Sequence, residues 1–281
     1  MGEAVGQMEM HLDVALLCVA LLVAYFALIR RYGMVLHPHP HDPPVRTKQV
    51  VAFVAGVLAF WLADGWPLHD LAERYWYSAH MVQHLLQAFV VPPLLLLGIP
   101  RWMGELLLKP TWLLKAVRGL ARPLMAALMF NGVLLWIHWP AVVGLMLRSE
   151  VFHAFGHFLL LGAAFFMWMN VVSPVPHLVK PLQPLAQMFY LFLMTLIPTI
   201  PSSFLTFGTT LLYPEYGDFP RLAGLSAIDD MQIAGLLMKV GGGFLLWGII
   251  TTMYFKWAAA QERAERAGRP GSPMSDAHTP A

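Results

Sequence analysis

Five of the twelve histidines in this 281-residue chain are spaced so that they could hold a metal ion. His80 and His84 are four residues apart, as are His153 and His157, so on a helix each pair would share one face. His138 lies between the two pairs in sequence. Imidazole suits copper, zinc and iron, whereas thioether sulfur selects copper(I), and Met81 stands inside the first pair. Cys18 is the sole cysteine, which excludes a disulfide framework, a CxxC redox pair and any multi-thiolate metal site. With no thiolate set available, a copper site of His, or of His and Met, fits this inventory best. Haem b held by two imidazoles from facing helices is the alternative. A single pair would equally suit a hydrated boundary without any ligand. Asp229 and Asp230 admit two roles: capping the helix that follows them, or orienting an imidazole from behind.

The elements that would carry these residues are membrane spans. The chain is 58% apolar and only 12% charged, against roughly 25% charged residues in soluble domains. A mean hydropathy of +0.61 excludes a water-soluble globule and a disordered chain. The net charge of +2 is too small for a surface that tracks phosphates, so no nucleic-acid partner is expected. No nucleophile elbow, P-loop or dinucleotide fingerprint is present, and the chain is not expected to be an enzyme.

Seven apolar runs approach the roughly 20 residues that a spanning helix needs. They cover residues 12–29, 50–63, 79–99, 124–147, 151–170, 185–205 and 232–257. The fold class predicted is therefore all-α, a seven-span bundle over residues 1–257, with a polar, disordered cytoplasmic tail over 258–281. Pro198 and Pro201 should bend the sixth span, and the glycines at 241–243 permit close helix packing in the seventh. Residues 101–122 read as a basic amphipathic loop on the membrane surface. His37, His39 and His41 alternate with prolines, which favours a solvated extended loop over a metal-capture strip.

Charge predicts the orientation. Glu3, Glu9 and Asp13 precede the first run without any Lys or Arg, the reverse of a cleavable basic leader. If the N-terminus is outside, fourteen Lys and Arg fall in inner segments and three (Arg74, Arg148 and Arg221) in outer ones, with Lys239 inside the last span. This split predicts an outer N-terminus and a cytoplasmic C-terminus. All five spaced histidines then lie at similar depth on the outer side. The inner halves of spans three to five carry no staged histidine, which ranks a copper permease below a protein that holds the ion.

At this point a family resemblance appears. His80-Met81-Val82-Gln83-His84-Leu85-Leu86, followed by Pro92-Pro93 and Gly98-Ile99-Pro100, resembles the third-span signature of the CtaG-type cytochrome c oxidase assembly factors of bacteria. His138-Trp139-Pro140, His153-Ala154-Phe155-Gly156-His157 and Asp230-Met231-Gln232-Ile233-Ala234-Gly235 extend the likeness over residues 50–256. Met231 departs from it, standing where a second Gln is expected. The resemblance implies a multi-pass protein of the bacterial inner membrane. Its task would be the maturation of a haem–copper oxidase, its partners the bilayer and the oxidase subunits, and copper insertion its contribution.

Overall fold

The structure, a computed structural model, describes residues 11–36, 43–221 and 224–268. The His37, His39 and His41 strip and the tail from residue 269 lie outside the described residues. Those that are described form helices, turns and loops, with no strand among them. Six helical stretches are long and apolar enough to cross a membrane.

The first is α1 (Leu12–Leu36), followed by α2 (Thr47–Asp64), which continues after a break at Gly65 into the short α3 (Leu68–Arg74). The third span joins α4 (Tyr77–Leu85), a π-helical turn (Leu86–Val90) and α5 (Val91–Gly98). Two short helices follow, α6 (Arg101–Leu107) and α7 (Thr111–Leu120), in the region expected as a basic amphipathic loop. No residue of α7 is buried. It meets α8 (Pro123–Ile137) at a 74° bend, and the two make a seventh crossing if counted as one.

The expected fourth span over 124–147 is not one helix. Pro140 has no N–H to give to the carbonyl of Trp136, and it drives Trp139 into an extended backbone (φ −72°, ψ 130°). The helix therefore stops at Ile137 and restarts as α9 (Pro140–Arg148). Next come α10 (Glu150–Trp168), α11 (Pro184–Leu196) and α12 (Thr199–Phe207). The last span is α13 (Ala227–Leu236), a π-helical turn (Leu237–Gly241) and α14 (Gly242–Gly268). Helix α14 outruns the predicted end of the span, so residues 258–268 are helical where a disordered tail was expected.

The break in the third span is chemically accounted for. Pro92 cannot donate to the carbonyl of Ala88, and the indole Nε1 of Trp168 donates there instead at 2.8 Å. The sixth span breaks at Ile197–Pro198, as Pro198 predicts, and hydroxyls of Thr195, Thr199, Ser202 and Ser203 bond to carbonyls in the same stretch. The seventh span is tied to the third by one carboxylate. Asp230, fully buried, accepts the backbone N–H groups of Tyr77 (2.7 Å) and Ser78 (3.1 Å) and the Ser78 hydroxyl (2.5 Å). These are the free donors at the N-terminus of α4, where a negative charge also meets the positive end of the helix dipole.

Helices α2 and α5 approach closely through glycine. A Cβ on Gly98 would lie 2.6 Å from the backbone nitrogen of Phe53. The Phe53 ring stacks on Tyr25 at 3.9 Å, and the Tyr25 hydroxyl donates to the Gly98 carbonyl at 2.9 Å.

Two stability tests follow for protein purified in detergent. Gly98→Ala should cost about 1–3 kcal/mol by overpacking, whereas Gly162→Ala, with nothing within 4 Å of its added carbon, should not lower the thermal midpoint. Equal midpoints for the two would contradict the packing of α2 on α5. Asp230→Ala should cost about 1.5–3 kcal/mol, the worth of hydrogen bonds to a charged group. An unaltered midpoint there would mean that the cap of α4 contributes nothing.

Candidate metal centre

The site is built from helix ends that meet at one end of the bundle. His80 and His84 occupy the first turns of α4, which Asp230 holds in place. His153 and His157 occupy the first turns of α10, whose N-cap Ser149 accepts the backbone N–H of Phe152 at 3.3 Å. His138 is the residue at which α8 stops. Its carbonyl accepts the hydroxyl of Tyr213 at 2.8 Å. Burial pushes the Tyr213 phenol up to about 12, so it remains a donor at neutral pH.

All five imidazoles are buried, and they converge. Ring centres are 4.1 Å apart for His80 and His84, 4.4 Å for His153 and His157, and 5.5 Å for His80 and His157. His84 lies 5.2 Å from His157 and 5.6 Å from His138, and His80 lies 5.3 Å from His153. His80, His84 and His157 each offer a ring nitrogen, and these three atoms lie within 4.8 Å of one another. His138 turns Nδ1 to the Leu134 carbonyl at 2.7 Å and leaves Nε2 without a partner. Nδ1 of His80 and both nitrogens of His84 are also buried without hydrogen bonds. A buried polar atom left in this state costs free energy unless something binds it.

The carboxylates behind the rings are ones the sequence reading did not select. Asp64, at the end of α2, places Oδ1 3.1 Å from Nδ1 of His157, and Gln87 Nε2 donates to the same oxygen at 2.5 Å. Glu73, on α3, places Oε1 3.1 Å from Nδ1 of His153. A carboxylate that takes the Nδ1 proton leaves the lone pair on Nε2. The Nε2 atoms of His153 and His157 lie 2.9 Å apart, where one ring can donate to the other, or both can turn lone pairs to a cation if each Nδ1 holds its proton; Gln87 Nε2 also lies 3.0 Å from Nδ1 of His157. Imidazoles backed by carboxylates in this way are the usual arrangement of metal-ligating histidine.

Asp229 and Asp230 do not touch the rings. Asp229 accepts the hydroxyl of Ser226, and it is Ser226 that caps the helix by accepting the Asp229 N–H. Asp230 takes neither of the two expected roles, since the helix it caps is α4. Met81 is buried and borders, with His84 and His138, a small, partly open cavity. That cavity extends to Met194, Met238 and Lys239 between the breaks of the sixth and seventh spans. The signal that could have found Asp64 and Glu73 was their charge: an acid at the end of one apolar run, and another four residues after His69.

A family model described as cytochrome c oxidase caa3 assembly factor (Caa3_CtaG) matches residues 22–260. No curated protein and no solved structure matches the chain. The match takes in α2 to α13 and every residue of the imidazole cluster, and the chain belongs to the caa3-type cytochrome c oxidase assembly factors.

Proposed function

We propose that this assembly factor carries copper as cargo at His80, His84 and His157, with His153 and His138 completing the site. It would release the ion to a haem–copper oxidase during maturation and catalyse no reaction itself. The observation that carries this reading is the set of buried imidazole nitrogens on His80, His84 and His138 with no protein partner. His153 and His157, each with a carboxylate 3.1 Å from its Nδ1, support it, because their Nε2 atoms lie 2.9 Å apart beside the other rings. Five imidazoles without a thiolate bind less permanently than a cysteine cage, which suits an ion that must be passed on.

The excess of Lys and Arg in the loops of the opposite side supports an outer, periplasmic location for the cluster. The bilayer in question is the bacterial inner membrane, and the oxidase subunits dock on the apolar outer faces of the bundle. Haem b fits less well. Neighbouring rings stand 4.1–5.6 Å apart, centre to centre, and pack on each other, which leaves no macrocycle's width between the rings themselves. Transport through the bundle has less support: the cavity inward of His84 holds no imidazole beyond His84 and His138, and Lys239 presents a cation there.

Copper per protein, measured on the purified chain before and after changing His80, His84, His153 and His157 together to Ala, tests the reading. Copper should be lost, and the visible spectrum of the unchanged protein should contain no Soret band. An unaltered stoichiometry in the quadruple variant would exclude the site, and a Soret band would favour haem. Asp64→Asn should keep the stoichiometry while weakening copper binding about 10–100-fold, because the His157 ring loses its orienting partner. Wild-type affinity in that variant would remove the carboxylate from the site.

A further inference from the structure

The cavity beside the imidazoles is closed at one end and open at the other. Met81, His84 and His138, all buried, form the closed end. The half-buried residues of its lining are Leu85, Thr195, Thr199, Lys239 and Gly243, from the third, sixth and seventh spans. It is therefore a crevice that opens between these spans, toward hydrocarbon and away from either solution. His84, with neither nitrogen bonded, and His138, with Nε2 unbonded, stand at the closed end. On another side of the cluster, the buried rings of Tyr77, Tyr213 and Tyr216 pack on one another beside His80.

Lys239 sets the chemistry of the mouth. It stands twelve residues after Ala227, where the seventh span begins, about 18 Å along the helix. A cation at that depth is costly unless it is paired. Its Nζ reaches only the Ser203 hydroxyl, at 3.5 Å, and the Phe207 ring, 5.5 Å from the centre. No acidic residue lines the crevice, and among the described residues no carboxylate pairs with Lys239. Lys239 is also the middle residue of the π-helical turn Leu237–Gly241, a deformation frequent at functional sites. Next to it the wall lacks side chains, since Gly242 and Gly243 border the crevice and a Cβ on Gly243 would meet nothing within 4 Å. The complement of this mouth is an apolar rod with one carboxylate at mid-membrane depth. A phospholipid carries its phosphate at the membrane surface, whereas an acidic residue on a spanning helix can lie at the required level.

We infer that the crevice docks a membrane-spanning helix of the client oxidase, one bearing an Asp or Glu that pairs with Lys239, and that copper is handed over there. The inference deepens the copper-holding role proposed above and rests on it. Unpaired, the Lys239 charge repels a cation moving from His84 and His138 toward the membrane. Pairing with a carboxylate cancels that repulsion when the client's own donor atoms come within reach. Each bond from copper to an imidazole nitrogen breaks as one to a client donor forms, and the ion keeps its oxidation state. The bare backbone at Gly242 and Gly243 lets the two helices approach closely.

The test uses the full chain in its own membrane, in cells whose chromosomal copy is deleted, with the oxidase as the probe. A p-benzoylphenylalanine photo-crosslinker in place of Gly243 should capture an oxidase subunit, identified with subunit antibodies, and one in place of Gly162 should not. Adding Lys239→Gln should cut that crosslink about tenfold or more, because one partner of a charge pair is removed, whereas Lys239→Arg should keep it. Purified Lys239→Gln and Gly243→Trp should hold wild-type copper themselves, yet leave the oxidase with less copper per haem. Capture from neither position, equal capture from both, or an undiminished crosslink in Lys239→Gln would overturn the docking. Wild-type copper per haem in the oxidase of both variants would overturn handover at this crevice. Loss of the variants' own copper would also overturn it, by making these residues part of the metal site. A wild-type chain that binds no copper would overturn this inference and the proposed function together.

Discussion

Asp64 and Glu73 impose the constraint on which the imidazole cluster depends. A neutral imidazole has one N–H and one lone pair, and the group that accepts the N–H decides which nitrogen is left to bind anything else. Asp64 stands 3.1 Å from Nδ1 of His157 and Glu73 stands 3.1 Å from Nδ1 of His153, the positions from which a carboxylate makes that choice. Both carboxylates come from one span, nine positions apart. On an unbroken helix, nine residues turn the side chain by about 180° from its starting direction, so both could not face α10. The break after Asp64, at Gly65 and Pro67, interrupts the helical repeat, and both acids reach histidines of α10. A structural interruption in the second span thus sets the chemistry of histidines in the fifth.

The same economy recurs at the other breaks. Proline removes a backbone donor, and an unpaired carbonyl in hydrocarbon is costly, so each interruption survives only where another group donates. Trp168 does this for Ala88, and Tyr213 holds the carbonyl of His138 where α8 stops. The hydroxyls of the sixth span stay within their own segment. These bonds also link spans distant in sequence, so the breaks that open space for the cluster are the points at which the bundle is fastened together. Asp230 completes the arrangement by spending a buried carboxylate on the start of α4 instead of on an imidazole.

Much of this was legible in the chain. The i, i+4 spacing of His80 with His84 and of His153 with His157 places each pair on one helix face, and the structure brings both pairs and His138 together. Pro198 announced the interruption of the sixth span, whereas Pro201 stands within α12 without breaking it. The fourth span was misread as continuous because apolar character persists through Trp139 and Pro140, and hydropathy does not register a missing N–H. Asp64 follows directly on the apolar run 50–63, and its contact with His157 is invisible in the sequence because 93 residues separate the two. Glu73 is hidden for the same reason: short segments between spans have no periodicity that says where they fold back.

The sequence by itself determined that this is a helical membrane protein of the caa3 assembly factor family, and that its paired imidazoles share helix faces. Those are local properties, governed by composition over about 20 residues and by the helical repeat. Tertiary structure alone decided which nitrogens are free. That depends on which carboxylate, carbonyl or ring lies within about 3 Å of each one, and such partners are delivered by helix breaks and by packing between spans. A one-dimensional pattern holds the donors and acceptors, but it does not contain the distances that pair them.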